Sequence, residues 1–497
     1  MCSIIIIGGG VSGLCAGIIA LQKGFKVTIY ERHSKLGGNL TGWKRKGYNI
    51  DGCIHWLTGT NRNTSTYKLW QQVGAFEKEN ILKQDILFTS VYKGKSVSLF
   101  RDTSKTLKQM LELSISDKNE IYDFIYTVEK LKLVMNIGGK KATAFDYISL
   151  LPKLIKYYNL NLFDLARKFN NPTIKRLFTD FIGGEYSSLA MLITYATFSG
   201  GNGDTVRGGS VSMANNLVDK FTSLGGEYRC NCVVKEAIVL DEKVQYIELD
   251  SGEKVYCDYL IPTGDIKFIY NNLLKVNMPK RLEKWQSEFN IFSSINVSFA
   301  VDKNLVDFSG DIALEIPIRY QKIIGATRIK LKEYSFDESF IKDGKVVIQS
   351  LTFVNKKRAK YFINLKKSEY RYREVKRLFA NAVIRAVEEI FPKMKGQIEL
   401  IDICTPATYY RYTNNEYGSY MSYVFPKKKL PINCCNKVKG IENVIVASQW
   451  LSPTGGLPIA LNMANKAVND IIKLENKATK RFNIKLQPSK SKSYKKI

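Results

Sequence analysis

The sequence predicts an α/β fold in which a discontinuous dinucleotide-binding domain is interrupted by an inserted α+β region. Three observations predict it. A glycine-rich turn, Gly8-x-Gly10-x-x-Gly13, follows directly on an apolar run at 4–7. Further glycine pairs stand at Gly37-Gly38 and, near the far end of the chain, at Gly455-Gly456. The stretches between them switch repeatedly between helical and strand-like patterning. At 497 residues the chain is also too long for one hydrophobic core.

The opening unit follows from backbone chemistry. The run "IIII" at 4–7 reads as a parallel strand buried on both faces. Gly8 permits a sharp turn, Gly10 removes a side chain where backbone must approach a pyrophosphate, and Gly13 lets the next helix pack close to the strand. The helix amino terminus, with Val11 and Ser12, directs its amides and dipole at the phosphates, and Gly24 follows its end. "FKVTIY" at 25–30 is the second strand. Glu31 at its end is placed to accept both hydroxyls of a ribose, with Arg32 beside it. Strand, glycines, helix, strand and acid in this order identify a Rossmann-like unit far better than the glycines alone. The unit does not separate NAD from FAD. Gly37-Gly38, followed by Asn39, points to FAD, because a chain returning past the pyrophosphate toward a flavin again needs close backbone approach.

On "ERHSKLGGNLTG" the sequence resembles the phytoene desaturase–like branch of the FAD-dependent amine oxidase superfamily, which includes carotenoid desaturases and isomerases and retinol saturases. Most relatives carry Arg after the glycine pair, where this chain has Asn39. The resemblance implies a Rossmann-like FAD-binding domain (a parallel sheet with a β-meander) formed by 1–85, 200–275 and 435–475. A substrate-binding domain is formed by 86–199 and 276–434, and 476–497 is a basic, disordered tail.

Residues 85–200 read as mostly helical, and "YISLLPKLIKYYNLNLFDLARKF" (147–169) carries apolar residues at helical spacing with Lys and Arg between them. That pattern suits a core-facing helix pair or a lipid-facing surface. From 206 a glycine pair opens a helix with Met213, Leu217, Phe221 and Leu224 on one face. A strand with Val233 and Val234 follows, then a hairpin turning at Asp250-Ser251-Gly252 and a strand ending near Gly264-Asp265. In the resemblance, Val234 is the position whose backbone meets the adenine. Within 276–430, "SSINVSFAV" and "GKVVIQSLTFV" read as sheet and 372–391 as an amphipathic helix. Thr405-Pro406 with Gly418 resembles a strand and loop beside the active site. Tyr409, Tyr410, Tyr412, Tyr417, Tyr420 and Tyr423 either line a half-buried strand or wall an apolar tunnel. "NVIVAS" reads as a buried strand. Gly455, Gly456 and Leu457 then introduce a long helix whose amino terminus suits the flavin pyrimidine edge, as in the family's carboxy-terminal FAD motif.

The totals narrow the function. Lys and Arg number 75 against 46 Asp and Glu, a net charge of +29. This fits a basic solvated surface or attraction to an anionic membrane surface or an acidic substrate, and no nucleic-acid module accompanies it. Nine cysteines without C-x-x-C spacing and two histidines predict reduced thiols and no metal site. The chain reads as cytoplasmic, peripheral to a membrane at most, since no apolar run is long enough to span one. There is no second nucleotide loop, so electrons pass through the substrate and then oxygen, a quinone or another diffusible partner. His55 and Asp51 lie where the chain passes the expected flavin ring, and His55 is the candidate for proton transfer or flavin contact, with a structural hydrogen bond as the alternative. The function expected is an FAD oxidoreductase exchanging hydride with a C–C bond of an apolar isoprenoid or lipid, by desaturation, saturation or isomerisation. An FAD amine oxidase using oxygen and a non-catalytic lipid or prenyl carrier are the competing classes.

Overall fold

A computed structural model describes residues 2–137, 141–430 and 432–486, with side chains to residue 477. Its mixed α/β architecture has a parallel sheet at one end and a larger mixed sheet at the other. The parallel sheet runs, in spatial order, Glu227–Arg229, Lys26–Tyr30, Ser3–Ile7 and Tyr259–Pro262. Ile4 and Ile6 pack on one face with the helices Val11–Gln22, Gly209–Ser223 and the carboxy-terminal helix. Ile5 and Ile7 pack on the other with Val234, Ile247 and Leu260. Burial on both faces explains why this strand carries no polar alternation.

The expected strand at "NVIVAS" joins this sheet only as a bridge. Val444 pairs with Leu260, and Ile445 N and Ala447 N donate to the Leu260 and Pro262 carbonyls at 3.0 Å each. The β-meander is present as Val234–Leu240, Lys243–Leu249 and Lys254–Tyr256, turning at 250–252 as predicted.

The larger sheet has the order Glu399–Cys404, Ser293–Asp302, Lys345–Val354, Arg328–Glu333, Asp311–Glu315, Ile86–Tyr92 and Lys95–Phe100. One face packs on the helices Lys356–Leu365 and Glu369–Ile390 through Val297, Ile348, Phe362 and Val383. Helices between 103 and 199 cover the end formed by Ile86–Phe100. The remainder of that second face looks into the protein: Ala300 and Val347 pack there with Tyr48, Ile50 and Tyr334, and its middle is polar. Register puts Ser298, Gln349 and Lys332 on it together, and Asn296, Leu351 and Lys330 beside them.

Three local expectations change. Residues 86–100, read as helical, form a hairpin turning at Lys93-Gly94, both at positive φ. Pro406–Thr413, read as strand and loop, is a helix: Pro406 occupies its first turn and Thr405 and Thr408 form a reciprocal cap. The final helix runs Leu457–Leu486, so the tail expected to be disordered from 476 starts as helix. Residues 487–497 lie outside the described residues. No described helix is long and apolar enough to cross a membrane.

Candidate active site

The two ends of the molecule enclose a cavity of about 740 Å³. Of the residues singled out in the sequence, Gly8, Gly10, Val11, Ser12, Glu31, Arg32, Gly38, Asn39, His55, Val234, Gly455, Gly456 and Leu457 line it. Gly13 and Gly37 do not. A Cβ at Gly13 would lie 2.0 Å from the Gly8 carbonyl oxygen, so this glycine lets the helix sit against the turn. Gly37 donates its N–H to the Gly9 carbonyl at 2.8 Å and bridges to Gly10. Gly38 has φ +59°, and a Cβ there would fall 2.9 Å from the Gly10 Cα. The second glycine pair is thus required by loop-on-loop contact as well as by the cavity.

The helix Val11–Gln22 begins at Gly10 with no capping side chain, so its first amides open toward the cavity. Glu31 is buried, and each of its oxygens takes one backbone amide: Oε2 from Gly9 at 2.7 Å, Oε1 from His33 at 2.8 Å. Its remaining lone pairs can accept ligand hydroxyls. Tyr412 meets His33 edge to face at 4.5 Å, adding an aromatic wall beside Glu31 and Arg32.

The other end of the cavity is apolar. Ala190, Ile193, Thr194 and Thr197 from the helix Ser188–Ser199 line it with Trp56, Met135, Tyr420 and Phe425. None of these eight was singled out in the sequence as a contact except Tyr420. Only a helix with one face in a cavity would mark them, and that face looks like any core stripe. The six tyrosines of 409–423 divide: Tyr412 and Tyr420 line the cavity, and Tyr409 packs against Tyr420. Tyr410 is exposed, Tyr417 is half-buried against the neighbouring cores, and Tyr423 is locked in a core with Trp285, Phe289 and Trp450.

The polar sheet face stands behind His55. His55 Nδ1 lies 3.6 Å from Asp311 Oδ1, and the His55 carbonyl accepts from Lys332 Nζ at 2.5 Å. Lys332 is itself buried and lies 3.6 Å from Asp311 Oδ2. Burial alone raises the Asp311 carboxyl, but Lys332 and His55 hold it below the usual carboxylate range. Lys330 donates to the Phe181 carbonyl and sits over the Phe353 and Phe88 rings at 4.6 and 5.4 Å; burial lowers its ammonium to about 8.

Asp51 is not at the cavity. Its carboxylate accepts from Cys53 N, Ile54 N, Ser210 N and Ser210 Oγ at 2.6–2.9 Å, tying its loop to the start of the helix Gly209–Ser223. Among the described residues no cluster of His, Cys, Asp or Glu could hold a metal.

A family model for flavin containing amine oxidoreductases matches residues 11–471. The chain belongs to that family. It is an FAD-dependent oxidoreductase with a Rossmann-like FAD-binding domain and a substrate domain. Among characterised relatives, 4,4'-diaponeurosporene oxygenase of Staphylococcus aureus is 23% identical over 316 residues, 59% of this chain. The match covers 61% of the relative's length. An oxidoreductase from Methanosarcina mazei has the same fold at 15% identity, with TM-score 0.60 over 95% of this chain and all of that one. A putrescine oxidase triple mutant matches at 13% identity and TM-score 0.61, over 95% and 99% of the two chains. The cavity fits FAD on its own chemistry: an uncapped helix end for the diphosphate, and no side chain at Gly10 in the cradle.

Proposed function

We propose that the protein is an oxidoreductase of the phytoene desaturase type, exchanging hydride with a C–C bond of an apolar isoprenoid or related lipid. The observation that carries this reading is the apolar end of the cavity, walled by Trp56, Ile193, Thr197 and Phe425. The carotenoid-modifying relative supports the substrate class.

In this reading Glu31 and Arg32 hold the adenosine, with Val234 meeting the adenine through its backbone. The amides around Gly10, Val11 and Ser12 hold the diphosphate. Gly38 and Asn39 carry the chain toward the flavin, and Gly455, Gly456 and Leu457 face the pyrimidine edge. Bound FAD supplies the two-electron acceptor or donor for the hydride. The chain's part is chiefly to orient a substrate that has no handle for acid–base chemistry and to keep water out. His55, oriented by Asp311 on Nδ1, is the group placed to hold or pass the proton at Nε2. Arg328, Lys330 and Lys332 behind this wall outnumber their carboxylates Asp180 and Asp311, which disfavours a cationic amine as substrate.

The test is the flavin spectrum of the anaerobic holoprotein with added lipids. Bleaching by a polyene precursor supports desaturation, and reoxidation of pre-reduced flavin by a polyene supports saturation. Bleaching by simple amines, with peroxide release in air and no response to any lipid, would replace this reading with the amine oxidase.

A further inference from the structure

The helix Pro406–Thr413 is fixed at its start to the half of the molecule built on the larger sheet. Thr405 Oγ1 and Tyr372 Oη lie 2.8 Å apart, and Tyr372 belongs to the helix Glu369–Ile390. One turn on, Tyr409 Oη accepts from Asn296 Nδ2 at 2.7 Å, and Asn296 lies on the strand Ser293–Asp302. Ser293 Oγ of the same strand donates to the Gly418 carbonyl at 2.7 Å, so the loop after the helix is held there too.

The far end of this helix reaches the other half of the molecule. Tyr412 meets His33 edge to face at 4.5 Å, two residues past Glu31. Glu416 N donates to Asp265 Oδ2 at 2.9 Å, and Lys267 Nζ pairs with the Glu416 carboxylate at 2.7 Å. Asp265 is buried just beyond the strand Tyr259–Pro262, and its Oδ1 takes Lys267 N at 2.8 Å. Between these ties, Tyr412, Thr413, Asn414 and Asn415 line the same cavity as Glu31, Arg32 and Val234. The Thr413 hydroxyl is spent on the Tyr409 carbonyl, and the Asn415 amide on the Ser419 carbonyl. Of the four, Tyr412 alone offers an aromatic face, and its contact with His33 fixes the plane of the ring.

We propose that Tyr412 is an adenosine-binding residue. Carried by a helix anchored on the larger sheet, it covers the adenosine beside Glu31 and makes FAD retention depend on the two halves being clasped together. A purine is a flat, polarisable surface, and an aromatic ring laid against it stabilises it without reading its edge. Glu31 supplies acceptors for the ribose, and Tyr412 supplies the wall. The proposal rests on the placement of adenosine at Glu31 made above.

Free FAD fluoresces, so its release from diluted holoprotein can be followed directly. Tyr412→Ala should release FAD at least about tenfold faster than the parent, the size expected when the aromatic partner of a base is removed. Tyr412→Phe should stay within about threefold, because the ring makes the contact. Tyr412→Leu keeps the bulk without the flat face and should behave as Ala does; it serves if the Ala variant fails to fold. Competition during reloading of the deflavinated full-length chain locates the contact. For Tyr412→Ala the inhibition constant of ADP should rise about tenfold, and that of riboflavin should stay as in the parent. The melting temperature of the deflavinated chain should not change, whereas a merely structural tyrosine would lower it as much as that of the holoprotein. Release within threefold of the parent in both the Ala and Leu variants, an unchanged ADP constant, or an equal loss of melting temperature with and without FAD would each overturn the proposal. Glu31→Gln separates it from the placement beneath it. If Glu31→Gln leaves ADP binding intact, the adenosine does not lie there. If Glu31→Gln weakens ADP and Tyr412→Ala does not, the tyrosine's role alone is lost.

Discussion

Replacing Gly13 by Ala tests whether the turn at Gly8–Gly13 is a cofactor cradle held open by packing. The new Cβ would stand 2.0 Å from the Gly8 carbonyl oxygen, a backbone atom with little room to yield. Reaching an ordinary 3.4 Å contact requires helix and turn to part by about 1.4 Å. An amide that sat near 2.9 Å from a phosphate oxygen would then lie beyond hydrogen-bond range. Hydrogen bonds to charged groups contribute about 1.5–3 kcal/mol each, so losing one or two removes about 3 kcal/mol from FAD binding. That is roughly a hundredfold in affinity. Overpacking adds a separate loss of about 1–3 kcal/mol in stability. Titrating deflavinated protein with FAD by flavin fluorescence, alongside thermal melts, reads both. A Gly13→Ala variant that binds FAD within threefold of the parent would refute the argument.

Three further outcomes follow from other parts of the structure. Asp51→Ala takes the acceptor from the Cys53 and Ser210 amides and leaves the Ile54 amide only Ser210 Oγ, so it should lower stability by about 2–4 kcal/mol, seen as an earlier urea midpoint. Lys330→Met should change stability in a pH-dependent way. Burial lowers the folded Lys330 to about 8 from an unfolded value near 10.5, so the unfolded chain binds the extra proton between those values. The parent should therefore gain stability relative to the Met variant as pH rises from 8 toward 10.5. A constant difference in melting temperature between pH 7 and 10 would contradict this. The nine cysteines are free, and burial pushes Cys53 up to about 12, so a mild reductant should leave the melting temperature unchanged.

The legible parts of this sequence are those whose physics is local. Gly8, Gly10, Gly13 and Glu31 lie within one strand–helix–strand unit, and short-range sterics and hydrogen bonding set each of them. The hairpin turn at 250–252 is local in the same sense. The hairpin at 86–100 carried an equally local signal in Lys93-Gly94, but the helical stretch after it dominated the reading. At 406–413 the β-prone run "TYYRY" misled, because the reciprocal cap of Thr405 and Thr408 and the proline at the first turn outweigh propensity. Asp51 and His55 look alike in sequence as polar residues near the turn. Only the fold separates them, by burying Asp51 under Ser210 and turning His55 to the cavity. The cavity wall from Ala190 to Thr197 was unreadable for a related reason. Which face of an apolar helix meets a void is decided by partners more than a hundred residues away.

The dispersed origin of the parallel sheet governs when the protein can be finished. The strand Ser3–Ile7 is made before its neighbours Lys26–Tyr30 and Tyr259–Pro262, and the sheet's last bridge comes from Val444. The helix Val11–Gln22 likewise waits for the carboxy-terminal helix, against which Leu14 and Ile18 pack through Leu461 and Ala464. At about 5–20 residues per second, four uninterrupted isoleucines wait roughly 20–90 s for their last partners. Nascent chains should lean on holding chaperones through that interval. Flavin loading waits until the helix from Leu457 has been made, so cellular FAD supply from that point decides how much of the synthesised chain becomes enzyme.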